Sequence, residues 1–227
     1  MRVTAADRSR EDAISLTLEP VDGEPFSFHA GQFITLLVQS GSETLRRAYS
    51  LCSCPSESER LTIAIRRVPG GRVSDYLVNR VQVGDALEVM GPSGQFGLDL
   101  SGLVPAHLLL VGAGSGITPL LAIARAALAQ SETSRIACVV SNRNQARIML
   151  GAELESLRRA YPDRSSVHHT LSQPSENWTG HCGRLDESHI ITALEALRGD
   201  HDVPVESYLC GPLGMMETGT EALLALG

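Results

Sequence analysis

The sequence predicts a two-domain α/β protein: a small antiparallel β-barrel or sandwich followed by a doubly wound parallel sheet. Three observations carry that expectation. Over roughly the first hundred residues, short apolar-alternating runs are separated by glycine and proline turns. Beyond Pro105 the rhythm changes to alternating strand and helix patterns, the sign of βαβ units. At 227 residues and 43% hydrophobic composition, the chain is long and apolar enough to fill two cores.

Ile14, Leu16 and Leu18 alternate with polar residues, the pattern of a half-buried strand. Further strands are expected over 32–38, 46–52, 61–67 and 86–90. Turns at Asp22-Gly23, Ser40-Gly41, Pro69-Gly70-Gly71 and Gly91-Pro92-Ser93-Gly94 separate them. One short helix is expected over 73–80, capped by Ser74, with 81–84 as the turn after it. Ser101-Gly102, with Pro105 close by, is the expected boundary. Strands then follow over 107–111, 136–140, 167–171 and 207–210, and helices over 119–130, 145–160, 186–197 and 212–226. Gly227 would cap the last helix. No internal repeat or low-complexity tract interrupts either half.

The chain has no lysine, so all 19 basic residues are arginine; that excludes a Schiff-base lysine and a P-loop lysine. A net charge of −7 argues against nucleic acid as a partner. Cys52, Cys54, Cys138, Cys182 and Cys210 are odd in number, scattered, and unaccompanied by a secretory signal, so free thiols in a reducing cytoplasm are expected. Their spacing matches neither a zinc site nor a plant-type ferredoxin cluster, and no metal site is expected. Residues 103–124 carry no Asp, Glu, Lys or Arg. Glycines and Pro119 nevertheless fall in the middle of that run, and such an irregular backbone would lack partners in lipid, so a membrane span is rejected.

The second half is organised around the run from Leu108 to Pro119, an apolar strand that enters a glycine turn and then a helix opening at Thr118 and Pro119. Three glycines there allow close approach to a phosphate at a helix N-terminus. A strict dinucleotide fingerprint counted from Gly112 would need glycine where the chain has Ile117. Counted from Gly114, the run reads Gly114-x-Gly116-x-x-Pro119, a variant. The alternative is a tight strand-to-helix connection without a ligand. At the exit of the next strand, Ser141-Asn142-Arg143-Asn144 supplies arginine where an NAD-specific fold supplies an acid, and Arg147 lies one turn on. An arginine fork suits a 2′-phosphate, which favours NADPH over NADH; the alternative is two solvated charges.

Arg46, Arg47, Arg66, Arg67 and Arg72 crowd into one stretch of the first half. If the strands over 46–52 and 61–67 pair, alternate arginines converge beside the Gly70-Gly71 turn and a helix start, making an anion site. Tyr49, two residues from Arg47, would share its face and stack on a flat ring. The alternative is a strand with an exposed polar edge.

Taken together, Arg47-Ala48-Tyr49-Ser50, Gly71-x-x-Ser74, Gly114-x-Gly116-x-x-Pro119 and Cys210-Gly211-Pro212, in that order, resemble the ferredoxin–NADP reductase superfamily over nearly the whole chain. The wording of residues 48–53 and 65–68 looks most like the FAD-dependent reductase components of phenylacetyl-CoA and ketosteroid oxygenases. The resemblance implies an FAD-binding β-barrel over 1–101 and a pyridine-nucleotide-binding α/β domain over 102–227. It implies that Arg47 holds the flavin pyrophosphate, Tyr49 packs on the isoalloxazine and Ser50 bonds flavin N5. Gly71 and Ser74, with Arg72 and Val73 between them, match a second pyrophosphate clamp. Backbone near Ile65, Arg66 and Val68 would line the ribityl and adenine side. Gly114, Gly116 and Thr118 match the nicotinamide–pyrophosphate turn, Cys210 the cysteine near nicotinamide C4, and Gly211, Pro212 and Met215 the adjoining wall. Ser141 and Arg143 complete the expected nucleotide contacts. As an alternative, Cys210 is an ordinary core thiol.

Two features depart from the family pattern. The family usually adds a strand after the last helix, and its oxygenase reductases carry a ferredoxin domain; neither has a counterpart before Gly227. The expected function is hydride transfer from NADPH (or NADH) to FAD. Single electrons then pass to an iron–sulfur protein, or a ferredoxin domain absent from this chain, that serves a terminal oxygenase. The alternatives are a non-catalytic flavin-binding module that wires electrons but takes no hydride, and a cofactor-free nucleotide-binding protein such as a methyltransferase, which Pro119 and the arginine-rich barrel disfavour.

Overall fold

The computed structural model describes residues 1–10, 12–24, 26–55, 60–97, 107–198 and 204–226. Two compact units divide the chain, Met1–Leu98 and Asp99–Gly227. The boundary expected at Ser101-Gly102 and the cap expected at Gly227 lie outside the described residues.

In the first unit the elements are β1 (Arg2–Arg10), β2 (Ala13–Glu19), β3 (Phe33–Ser40), β4 (Glu43–Ser50), β5 (Leu61–Arg66), α1 (Arg72–Asn79) and β6 (Glu88–Ser93). They form two antiparallel three-stranded sheets, β1-β2-β5 and β4-β3-β6. Isolated bridges Arg2↔Ala86 and Leu51↔Ile63 join the sheets and close them into a barrel ordered β1-β2-β5-β4-β3-β6. The alternation read in β2 is the reason: Ile14, Leu16 and Leu18 point inward to meet Ile34, Leu36, Ile63 and Ile65, and Val73 and Leu77 of α1 join the same core.

Several expectations change in this unit, among them the turn expected over Gly91-Pro92-Ser93-Gly94, whose first three residues end β6 and pair through Ser93 with Phe33. The runs over 46–52 and 61–67, whose pairing was the condition for their arginines to converge, belong to different sheets and are joined by the Leu51↔Ile63 bridge. At that junction Cys52 N–H (2.8 Å) and Cys52 Sγ (3.3 Å) both donate to Thr62 C=O. Ser74 does not cap α1; Gly71 is the N-cap, and Ser74 Oγ accepts from Val68 N–H (3.0 Å) and donates to Gly71 C=O (3.2 Å). β1 was not foreseen, because Val3 is its one fully buried apolar residue and charges dominate the rest. Its ladder with β2, Val3 N–H to Asp85 C=O at 2.8 Å, and Arg8 side-chain bonds to the carbonyls of Val78 and Val81 hold it.

The second unit runs β7 (His107–Ala113), α2 (Ile117–Gln130), β8 (Ile136–Asn142), α3 (Gly151–Ala160), β9 (Ser165–Leu171), β10 (His181–Cys182), α4 (Glu187–Arg198), β11 (Val205–Cys210) and α5 (Leu213–Leu226). The strands make one parallel sheet ordered β10-β9-β8-β7-β11. Leu109 and Val111 of β7, with Ala137 and Val139 of β8, pack against Ile190, Ala193 and Leu194 of α4 and Ala222 of α5. The chain leaves β7 toward β8 on one side and returns to β11 on the other, so β7 and β11 flank the topological switch point. The apolar run that mimicked a membrane span is β7 plus the largely buried α2. Among the described residues, no helix is long and apolar enough to cross a membrane.

Here too the helix starts differ from expectation. α2 begins at Ile117, after a 3-10 turn over Gly114–Gly116, so Thr118 sits inside the first turn and its hydroxyl donates to the Ser115 carbonyl instead of capping. The helix expected over 145–160 is a 3-10 turn at Gln145–Arg147, then a break, then α3; Leu150, just before it, is left-handed at φ 53°. β10, only two residues long, carried no periodicity to read.

Candidate functional site

In the first unit the site is built on β4. Its register with β3 opposes Arg47 to Leu36, Tyr49 to Ile34 and Ser50 to Phe33. Arg47 and Tyr49 therefore share one face and Ala48 and Ser50 the other, as the two-residue period requires. Tyr49 packs on the edge of the barrel core, and its burial pushes the hydroxyl up from its ordinary pKa while the Arg47 charge opposes that rise. Arg47 is exposed and donates to the Arg46 carbonyl at 2.7 Å. Among the described residues, no carboxylate pairs with Arg46, Arg47 or Arg67.

The remaining arginines of the expected cluster are engaged by the protein itself. Arg72 donates to Glu43 (2.8 Å) and to Ser40 C=O (3.2 Å) and Oγ (2.6 Å), tying the start of α1 to the β3–β4 hairpin. Arg66 lies 3.9 Å from Asp12. Of the five arginines in this stretch, Arg72 is thus engaged by Glu43 and Arg66 lies near Asp12, a division spread too widely in sequence to be seen. Ile65 and Val73 are core side chains, so only their backbone can face a ligand. Val68 is exposed at the turn leading into α1. That turn is closed by Gly71 N–H to Val68 C=O at 2.8 Å, and α1 has no side-chain cap. The uncapped first-turn N–H groups and the arginines without carboxylate partners fit the diphosphate of a flavin dinucleotide.

In the second unit, residues nearly a hundred positions apart come together at the switch point. Cys210 pairs in register with Gly112, and Gly116 packs directly on the Cys210 backbone, where a Cβ would lie 2.5 Å from its carbonyl carbon. A Cβ on Gly211 would lie 2.5 Å from Met215 Cε and 3.1 Å from Ala113 Cβ. Pro212 begins the last turn, its carbonyl accepting from Met215 N–H at 2.9 Å. Gly114, at φ 57°, has no atom within 4 Å of its would-be Cβ, so an open cradle sits in front of the uncapped N-terminus of α2. That first turn carries no acid. Ile117 N–H is bonded to the Ser115 carbonyl and Pro119 has none, so it is the open glycine cradle at the helix start that fits the diphosphate of a pyridine dinucleotide. Burial pushes the Cys210 thiol up from its ordinary pKa, so it stays protonated near neutrality.

Ser141 lies in register between Ala113 and Thr170, one strand over from the glycine turn. Arg143 follows at the strand exit, exposed and without a carboxylate partner among the described residues. Reading the sequence missed Asn142, whose buried side-chain amide has no hydrogen-bond partner among the described residues. It also missed the contact made by Gln145, whose amide exchanges two bonds with Ser175 (2.6 and 3.1 Å). A polar pair ending an apolar strand was the available sign for Asn142; Gln145 and Ser175 gave none.

A barrel with an uncapped helix start, followed by a parallel sheet with a glycine turn at its switch point, is the architecture expected of a flavin-binding domain joined to a pyridine-nucleotide-binding one. The match to known domains agrees: residues 4–97 match the oxidoreductase FAD-binding domain and residues 110–220 the oxidoreductase NAD-binding domain. The chain belongs to the ferredoxin–NADP reductase superfamily. It is 32% identical to a component of the 1,2-phenylacetyl-CoA epoxidase of Escherichia coli, over 100% of this chain and 64% of that protein. It is 34% identical to the ferredoxin reductase component of 3-ketosteroid-9-alpha-monooxygenase of Mycobacterium tuberculosis, over 86% of this chain and 51% of that one. It is 34% identical to ferredoxin–NADP reductase B of Sorangium cellulosum, over 86% and 79% respectively. The crystal structure of an Amycolatopsis cytochrome P450 reductase superimposes with a TM-score of 0.83 at 26% identity, covering 99% of this chain and 64% of that one. The chain thus spans between half and two-thirds of the length of the epoxidase component and the ketosteroid reductase.

Proposed function

We propose that this chain takes a hydride from NADPH, with NADH as a poorer donor, onto FAD and delivers single electrons to an iron–sulfur protein or domain that feeds an oxygenase-type terminal enzyme. The observation that supports it best is the uncapped start of α1 in one unit and the glycine cradle before α2 in the other, within a single chain of this family. FAD, when bound, supplies the ability to accept two electrons as a hydride and to release them one at a time.

The chain's own residues hold and orient. Arg47 and the first-turn N–H groups of α1 bind the flavin diphosphate, Tyr49 packs against the ring system and Ser50 offers a hydroxyl to flavin N5. Gly114, Gly116 and Thr118 seat the nicotinamide end of the donor, and Gly211, Pro212 and Met215 wall it. Cys210 keeps its proton on Sγ, so the site presents a small neutral group there and not a thiolate. Ser141 and Arg143 take the adenosine end, Arg143 supplying the preference for a 2′-phosphate. The FAD-binding domain is taken to run through residue 101 and the nucleotide domain from 102. The five free thiols and the acidic net charge of −7 favour a cytoplasmic protein that binds no nucleic acid.

Anaerobic mixing of the FAD-loaded protein with NADPH should bleach the flavin absorbance. A flavin reducible by dithionite but inert to both NADPH and NADH would reduce the chain to a non-catalytic electron-wiring module. A purified protein that takes up no FAD would overturn the reading altogether.

A further inference from the structure

The backbone that carries Arg143 is not held by a helix. After β8 the chain makes a single 3-10 turn at Gln145–Arg147, runs extended through Ile148, and reaches α3 only after the left-handed Leu150 at φ 53°. Its direction is set from outside, by the segment that follows β9. Ser172 N–H donates to Asn142 C=O at 3.1 Å and Gln173 N–H to Arg143 C=O at 2.6 Å. Gln145 then closes the arrangement, its Nε2 donating to Ser175 Oγ at 2.6 Å and its Oε1 accepting from Ser175 N–H at 3.1 Å. Arg143 is thus tied at its own carbonyl and the Gln145–Ser175 pair fixes the chain two residues on, leaving an exposed guanidinium with no carboxylate partner among the described residues.

We propose that Gln145 and Ser175 are specificity-determining positioning residues, fixing the Arg143 loop so that its guanidinium meets the 2′-phosphate of NADPH in a bidentate geometry. The inference rests on the reading of Arg143 as the 2′-phosphate contact. An arginine on a loose loop keeps its charge and its long-range attraction. It loses the pre-set fork, because loop and side-chain ordering must then be supplied at the moment of binding. Gln145→Ala removes both bonds of the clamp, whereas Ser175→Ala removes one and leaves its N–H in place.

Calorimetric titration with 2′-phospho-AMP and with AMP tests this without the flavin. Gln145→Ala should weaken 2′-phospho-AMP about five- to tenfold, a scale set by the loss of one or two hydrogen bonds, and leave AMP unchanged. Ser175→Ala should fall between that variant and the wild type, Ser175→Thr should restore binding, and the double alanine variant should be no weaker than Gln145→Ala alone. In steady state the KM for NADPH should rise relative to that for NADH. If Arg143→Ala weakens 2′-phospho-AMP but neither clamp variant does, the clamp inference fails and the Arg143 reading stands. If wild type and Arg143→Ala bind 2′-phospho-AMP and AMP all alike, the underlying reading fails. Equal losses for both ligands in Gln145→Ala also overturn the proposal, since the clamp would then shape the loop without serving the 2′-phosphate.

Discussion

Gly114 and Gly116 are two residues apart, yet the structure gives them different reasons to be glycine, and alanine should separate the two. Gly116 has helical backbone angles (φ −61°, ψ −14°) that any residue adopts; what excludes a side chain is space. An added Cβ would lie 2.5 Å from the carbonyl carbon of Cys210 and 3.0 Å from Gly211 N, both backbone atoms, so the glycine turn and the end of β11 must move apart. Overpacking of that kind costs about 1–3 kcal/mol, or roughly 4–12 °C in the melting of a domain this size. Gly114 has the opposite problem, with open space but φ 57°. Alanine there costs about 1–2 kcal/mol for the left-handed backbone, and asparagine, which tolerates that region, should recover part of it. Thermal unfolding of Gly114→Ala, Gly114→Asn and Gly116→Ala, with calorimetric titration of each by NADP⁺, distinguishes the cases. Gly116→Ala should show the larger melting shift, and Gly114→Asn should melt above Gly114→Ala. Wild-type melting and nucleotide binding in Gly116→Ala would refute the close packing of residues 114–116 on residues 210–211.

Other expected outcomes follow from the same geometry. Arg47→Ala should lower FAD affinity about 10- to 100-fold, the scale of a lost charge-assisted hydrogen bond to phosphate, as read by flavin fluorescence on dilution. Arg72→Ala should do less, because Arg72 already serves Glu43 and Ser40. Burial first, then the neighbouring His181 charge, lowers the pKa of His168 from 6.5; burial and His168 lower that of His169. The unfolded chain therefore takes up protons before the folded one as pH falls below about 6.5, and denaturant midpoints should decline from pH 7.5 to 5.5. His168→Gln should flatten that decline. In a thiol titration of the native protein, the exposed Cys182 should react first and the half-buried Cys210 more slowly. Cys52, Cys54 and Cys138 should wait for unfolding, Cys138 having its thiol pushed up to about 12 by burial; Cys182→Ser should abolish the fast phase.

What the sequence made legible was whatever hydrophobic period or glycine chemistry writes locally. β2, β7, β8 and α2 show their burial in the order of their side chains. β1 and β10 do not, since their pairing partners and not their own residues make them strands. The helix starts were misplaced by one to six residues for a similar reason. Ser74 and Thr118 look like caps in isolation, but each hydroxyl bonds within the turn that precedes it. The break before α3 is invisible because Leu150 is not a residue that announces a left-handed backbone. At the site, the glycines and Cys210 were legible as motifs, whereas Gln145, Ser175 and Asn142 act through partners that only the fold supplies.

The arginines carry this furthest. With no lysine in the chain, every basic side chain is the same chemical group, so nothing in residue type separates an arginine that binds ligand from one that braces the fold. Carboxylates within reach make that separation. Arg72 is claimed by Glu43, 29 positions away, at 2.8 Å; Arg66 has the Asp12 carboxylate nearby at 3.9 Å, beyond hydrogen-bond reach, while Arg46, Arg47, Arg67 and Arg143 meet no acid among the described residues. A paired guanidinium has most of its favourable geometry already satisfied and gains little from a phosphate; an unpaired one gains the full charge-assisted bond. Near the two proposed phosphate sites, the acids thus separate arginines already engaged from those left open to a ligand; elsewhere carbonyls do the bracing, as at Arg8 and Arg164. Glu43→Gln should bear this out by releasing Arg72 at a stability cost below about 1 kcal/mol, as suits an exposed pair, and by increasing, not decreasing, the protein's affinity for FAD. An FAD affinity that falls in Glu43→Gln would mean that the Arg72–Glu43 pair positions the flavin site, and the division of the arginines by their acids would be wrong.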